Sequence, residues 1–189
     1  MKTQLAIFAS GNGSNAQAII DACKKGIINA DVAIIITDNP NAFVIKRAEK
    51  DNINCKVFKP KVFTDKASYE TEILKSLELL NIDWIVLAGY MRLIGTVLLT
   101  AYPKKIINIH PSLLPKYKGL NAIKQAIDNN DNELGVTIHY VDAGMDTGEI
   151  IEQEKITIED LNLPIEEIEA MVHNVEHKLY VTTLQKLIN

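Results

Sequence analysis

Cysteine is scarce in this chain: Cys23 and Cys55 are the only two among 189 residues. Two thiols so far apart make neither a disulfide framework nor a Cys-x-x-Cys motif. No apolar run approaches the ~20 residues that a membrane-spanning helix requires, so no membrane association is expected. The amino-terminal run Met1–Ala9 carries one lysine and is interrupted at once by Ser10–Gly11–Asn12–Gly13, which argues against a secretory signal. An excess of basic charge is also lacking. The balance of 20 Lys and Arg against 24 Asp and Glu gives a net charge of −4 and no electrostatic case for a nucleic-acid partner. Repeats, low-complexity tracts and linkers are absent too. These absences leave a soluble cytoplasmic protein as the expectation. What is present, 47% hydrophobic and 23% charged residues, is the composition of a globular chain, and the length suits a single domain over residues 1–189.

Strand-like and helix-like segments alternate, the pattern of a parallel α/β sheet. Strands are predicted at 4–9, 31–37, 55–58, 84–88 and 106–110. Helices are predicted at 15–25, 41–51 (after Pro40), 65–80 with Asp65 in the cap region, 95–101 and 121–129. The rhythm then changes. Residues 135–140 and 149–155 read as an antiparallel strand pair at one side of the sheet, and Pro164 opens a long helix from Ile165 to near Leu187. The expected architecture is one Rossmann-like α/β domain: a mostly parallel central sheet, an antiparallel pair in the carboxy-terminal half, and helices on both faces.

Three residues suggest chemistry. Asn108 and His110 end the apolar run 105–110, and Pro111 biases His110 toward extended backbone. In a parallel sheet this sets an amide and an imidazole at the carboxyl edge, where α/β proteins bind ligands. Asp146 lies in the glycine-rich loop 142–148, just beyond another strand-like run. An Asn, a His and an Asp brought together can polarise a carbonyl and move a proton, the outline of an acyl-transfer site. Taken singly, each has a plainer reading: a strand-end histidine satisfying a carbonyl, an asparagine in a turn, an aspartate capping a glycine loop.

The segment Ser10–Gly11–Asn12–Gly13–Ser14–Asn15 lies between a strand and a helix, where free N–H groups and small side chains form a phosphate-binding loop. The same glycines, Gly11 and Gly13 with Ala16, also fit the dinucleotide fingerprint, with Asp38 placed as a ribose-binding acid. An NAD-dependent oxidoreductase is therefore an alternative, although it gives no role to Asn108, His110 or Asp146. In the last helix, His173–Asn174–Val175–Glu176–His177 matches the inverted zinc-protease signature H-x-x-E-H. The twelve residues after His177 supply no third ligand, so no metal site is expected, and His173 reads as partly exposed helix surface.

Five blocks in order, Ser10–Asn15, Leu87–Arg92, Asn108–Pro115, Gly144–Gly148 and Val175–Tyr180, resemble the folate-dependent formyltransferases nearly end to end. The Asn-x-His-Pro-Ser-Leu-Leu-Pro block is specific for formyl transfer, and the Gly-Asn-Gly-Ser-Asn loop for the glycinamide ribonucleotide branch. The extra domains of the methionyl-tRNA formyltransferases and formyltetrahydrofolate hydrolases are not expected in a chain of this length. The resemblance implies formyl transfer from 10-formyltetrahydrofolate, as cosubstrate, to the amine of glycinamide ribonucleotide in purine biosynthesis. It implies Asn108, His110 and Asp146 as catalytic residues. It also implies Gly11, Asn12, Gly13, Ser14 and Asn15 on the phosphate, Glu176 on the ribose or glycinamide end, and Met91, Arg92, Leu93, Ile94 and Asn108 around the folate. A monomer or homodimer is expected, with small-molecule partners only. Three positions depart from the family pattern: Asn121 where a histidine is common, Lys66 where an arginine is common, and Glu149 where a proline often follows the Asp-Thr-Gly turn. A ribonucleotide-binding module without turnover remains a third reading.

Overall fold

The computed structural model describes residues 2–189. Seven strands form one sheet in the order β3-β2-β1-β4-β5-β6-β7. They are β1 (Thr3–Phe8), β2 (Ala30–Thr37), β3 (Asn54–Val57), β4 (Trp84–Leu87), β5 (Ile106–His110), β6 (Glu133–Tyr140) and β7 (Ile150–Thr157). The first five pair in parallel. Both β5–β6 and β6–β7 are antiparallel, so the predicted pair joins the sheet by reversing direction against β5. The helices are α1 (Ser14–Lys24), α2 (Val44–Lys50), α3 (Lys66–Leu79), α4 (Thr96–Ala101), α5 (Ala122–Asp128) and α6 (Ile165–Ile188).

Side chains of successive strand residues point to opposite faces, and this sheet buries both. Leu5 and Ile7 join a core with α1, α2, α5 and α6, whereas Ala6 and Phe8 join a second core with α3 and α4. That explains why β1 and β2 read as continuous apolar runs rather than alternating ones. α3 starts at a capping box, with the Asp65 carboxylate accepting from Ser68 N–H at 2.7 Å and Ser68 Oγ accepting from Asp65 N–H at 3.3 Å. α2 starts three residues later than its pattern suggested. Asn39 takes that stretch into a turn, its side chain accepting from Asn41 N–H and its carbonyl from Ala42 N–H. β6 and β7 each run two residues past the predicted pair at their far end, because Glu133 still pairs with Thr157 and Leu134 with Ile156. Within β6, a Cβ on Gly135 would collide with the Leu113 side chain, so this glycine admits the loop that follows β5.

The chain runs from β1 outward through β2 and β3, then crosses to β4 on the other side of β1. The carboxyl ends of β1 and β4 thus flank a topological switch point, where open α/β sheets bind ligands. Tyr180 of α6 braces the sheet beneath that edge. It is fully buried, and its hydroxyl donates to the Leu87 carbonyl at 2.8 Å and the Ile107 carbonyl at 3.3 Å. Tyr180→Phe is expected to lower unfolding free energy by about 1–2 kcal/mol in urea titration, since the ring packing survives and only buried hydrogen bonding is lost.

Candidate functional site

A cleft of about 980 Å³ opens along the switch point and is lined by the loop after β1, the start of α1, the ends of β4, β5 and β6, and parts of α5 and α6. Asn108, His110 and Asp146 all line it, as do Gly11–Asn15, Met91–Ile94 and Glu176. The residues that the formyltransferase resemblance implies therefore line one continuous space.

The β5–β6 register sets Asn108 opposite His139 and His110 opposite Thr137. His139 is buried, and its Nδ1 lies 2.8 Å from the Tyr140 carbonyl. A carbonyl only accepts, so Nδ1 carries the proton, and in the neutral ring Nε2 is an acceptor. In that neutral form Nε2 accepts from Asn108 Nδ2 at 3.2 Å, and in the charged form it donates to Asp146 Oδ1 at 3.5 Å. The second amide proton has only a 3.5 Å approach to Asp146 Oδ1, long enough to turn to a substrate oxygen. His110 Nε2 lies 2.8 Å from the Tyr117 carbonyl, and its Nδ1 lies 3.5 Å from Asp146 Oδ2. Both ring nitrogens face oxygen acceptors, an environment that an imidazolium with two donors satisfies.

Asp146 collects these groups. It sits at φ 52°, in the left-handed region that aspartate tolerates better than most side chains, and accepts from Gly119 N–H at 2.8 Å. Burial works to raise its pKa, but hydrogen bonding to His139 and Gly119 and the charges of His110 and His139 outweigh it and hold the carboxyl below the ordinary value of 3.8. The loop between β5 and α5 is held by Thr137, which is fully buried. Its hydroxyl donates to the Ser112 carbonyl and accepts from Leu114 N–H and Gln153 Nε2.

His139 and Thr137 are buried polar residues beside the site that no motif singles out. Their signal was in the sequence: two polar residues alternate with Val136 and Ile138 inside an apolar strand, so they share one face with nothing apolar to justify it.

At the other end of the cleft, Gly13 takes φ 75° as the residue preceding α1, and a Cβ there would lie 2.5 Å from Val44 Cγ2. Asp38, the ribose acid of the dinucleotide alternative, is engaged elsewhere. It accepts from Ser10 Oγ at 2.6 Å, lies 3.8 Å from Arg92, and is absent from the cleft lining. Ser10 Oγ in turn accepts from Met91 N–H at 2.9 Å, so this network joins the glycine loop to the Met91–Ile94 wall. Within that wall Ile94 is buried, while Met91 and Leu93 are exposed apolar side chains. Arg92 lies over the Tyr69 ring at 5.7 Å.

Glu176 is 5% exposed and accepts from Asn15 Nδ2 at 3.1 Å. Burial raises its pKa above 4.5, against the lowering effect of Asn15 and of the His173 charge. His173 is exposed on α6 but also lines the cleft, its ring stacked 6.5 Å from that of His177. Among the described residues no group of three or more His, Cys, Asp or Glu is arranged to hold a metal ion, and the H-x-x-E-H pattern gathers no third ligand. No helix among them is long and apolar enough to cross a membrane. Of the departures from the family pattern, Asn121 lines the cleft in a left-handed conformation, Lys66 opens α3 outside it, and Glu149 pairs with Lys104 at the surface.

The two carboxylates predict opposite pH effects. The unfolded chain ionises Glu176 more readily than the folded one, so its stability penalty develops as pH rises from 4.5 through the raised folded value. Asp146 contributes stability above 3.8 that is lost as pH falls through its depressed folded value. In thermal unfolding at pH 8, Glu176→Gln should melt above wild type and Asp146→Asn below it. At pH 4 the Glu176→Gln difference should vanish.

Comparison with known proteins gives a coherent result. The formyl transferase family model matches residues 3–184. The phosphoribosylglycinamide formyltransferase of Bacillus subtilis (strain 168) is 46% identical, the alignment covering 98% of this chain and 94% of that protein. The Escherichia coli (strain K12) protein of the same name is 36% identical over 93% of this chain and 82% of its own. Among solved structures, glycinamide ribonucleotide transformylase 1 from Geobacillus kaustophilus superposes with a TM-score of 0.96 at 52% identity, covering all of both chains.

Proposed function

The chain belongs to the formyl transferase family, and from that premise we infer that it is a phosphoribosylglycinamide formyltransferase of purine biosynthesis. The observation that carries this reading is the convergence of Asn108, His110 and Asp146 on the same cleft as the Ser10–Asn15 loop. A dinucleotide enzyme would leave that trio idle, and its acid, Asp38, is already occupied by Ser10. The formyl donor is folate-derived. The finer assignment is 10-formyltetrahydrofolate, with its pteridine against Met91–Ile94.

The reaction needs no covalent enzyme intermediate. The amine of glycinamide ribonucleotide attacks the formyl carbon, a C–N bond forms, and the carbonyl oxygen takes negative charge. As the tetrahedral centre collapses, the bond from that carbon to the folate nitrogen breaks, and the proton lost by the amine goes to the leaving nitrogen. Asn108 and His110 act as donors to the developing oxyanion. Asp146 keeps His110 in register by its charge and passes the amine proton onward, directly or through water. The glycine-loop N–H groups and the positive end of α1 take the phosphate, and Glu176, with its remaining acceptor capacity, takes the ribose hydroxyls or the glycinamide end.

Purified protein should release tetrahydrofolate only when both 10-formyltetrahydrofolate and glycinamide ribonucleotide are present. His110→Ala or Asn108→Ala should lower kcat by ~10²–10³, the usual effect of losing an oxyanion donor. Binding of the ribonucleotide without product from folded wild type would instead identify a module that holds substrate and does not turn it over. Retained turnover in a folded His110→Ala or Asn108→Ala variant would remove that residue from the mechanism.

A further inference from the structure

No residue of the loop Ser10–Asn15 carries a charge, and the first turn of α1 has no acidic or basic side chain. A phosphate monoester brings about −1.5 to −2 charges, of which a helix amino terminus matches about half a charge. The cation hydrogen-bonded to this loop is Arg47 of α2. Its Nε donates to the Asn12 carbonyl and its Nη2 to Asn12 Oδ1, both at 2.8 Å. The guanidinium is held in place by Gln17 Oε1 at 3.5 Å and by the Phe43 ring at 5.2 Å. Its charge has no protein counterpart, since no carboxylate among the described residues forms an ion pair with it. The nearby Asp51 is taken by Lys24 at 2.6 Å and by Gln17.

The hydrogen bonds also set polarity. One turn earlier on α2, Val44 N–H donates to the Gly11 carbonyl at 3.1 Å. Two consecutive loop carbonyls, Gly11 and Asn12, are thus turned toward α2. In a trans peptide the N–H points opposite to the C=O, so the N–H groups of Asn12 and Gly13 are turned away from α2. Neither has an acceptor among the described residues. A guanidinium has donors only, so it grips the Asn12 amide by its oxygen and leaves Nδ2 free to donate. The outcome is a loop with its acceptors tied down and its donors exposed, the arrangement an acceptor-only anion requires.

We propose that Arg47 is a positioning residue for the substrate's phosphate. It orients the loop through Asn12 and its own unpaired charge matches the remainder of the phosphate charge, while it stays clear of the reacting atoms. This rests on the ribonucleotide reading above.

The test compares wild type, Arg47→Lys and Arg47→Ala with glycinamide ribonucleotide and with the corresponding riboside that lacks the phosphate, at saturating folate. Arg47→Ala should raise KM for the ribonucleotide by roughly 10–100-fold, the range of a lost charge-assisted contact. The KM for folate should not move, and the deficit should disappear when wild type and variant are compared on the riboside. Arg47→Lys, which keeps charge without the two-pronged grip, should fall between them. Equal losses on both substrates, or an unchanged KM for the ribonucleotide, would overturn the proposal. A second readout is independent of turnover: inorganic phosphate should raise the melting temperature of wild type more than that of Arg47→Ala, and an equal rise would also overturn it. If wild type formed no product but showed this phosphate difference, the catalytic reading alone would fail.

Discussion

Four segments of chain meet at the carboxylate of Asp146, and the placement of Asn108, His110 and His139 around one cleft depends on that meeting. Its Oδ2 takes the Gly119 N–H at 2.8 Å and faces His110 Nδ1 at 3.5 Å, while its Oδ1 faces both Asn108 and His139 at 3.5 Å. One side chain therefore ties the β6–β7 loop to β5, to β6 and to the loop after β5. The surrounding loop is built to hold it there. Asp142 accepts from Gly144 N–H and Thr147 Oγ1, and Gly148 lies so close to the Tyr140 carbonyl that any side chain would be excluded. The 2.8 Å contact with Gly119 is the short one, and the three 3.5 Å contacts are longer than a good hydrogen bond.

The reversal of strand direction at β5 brings this about. On its β4 side β5 runs parallel, and the turns at the carboxyl ends of β1 and β4 supply the Gly11–Asn15 loop and the Met91–Ile94 wall of the cleft. On its other side β6 runs antiparallel, so the loop that leaves β6 emerges beyond the starting end of β5 and folds back over the cleft. The register of that pairing presents His139 to Asn108, which aims the amide. The glycine loop and the Asn108–His110–Asp146 group thus line one cleft from different strand ends. The Ser10 hydroxyl, donating to Asp38 and accepting from Met91 N–H, spans part of the distance between them.

Much of this was legible in the residues. The alternation of strands and helices, the glycine loop, and the Asn108–His110 pair before Pro111 are local patterns, since period, turn chemistry and proline act over a few residues. The boundaries of α2 and of the β6–β7 pair were less legible. The Asn39 turn and the pairing of buried Leu134 with half-buried Ile156 depend on what each segment meets in space. His139 was visible as a polar residue in an apolar strand, but its use depends on the residue across the ladder. Arg47 gave no motif at all. Its contact with Asn12 follows from α2 packing against a loop 35 positions away, which close approach at Gly13 makes possible.

The sequence by itself determined the fold class, the family resemblance and the identity of the groups able to do the chemistry, because these follow from short-range periodicity and from motifs of fixed spacing. The tertiary structure alone decided which nitrogen of His139 meets Asn108, which carbonyls of the glycine loop are turned away, and which cation stands beside that loop. Those are matters of hydrogen-bond direction between segments distant in the chain. Direction is set only when the sheet register and helix packing bring a donor and an acceptor face to face.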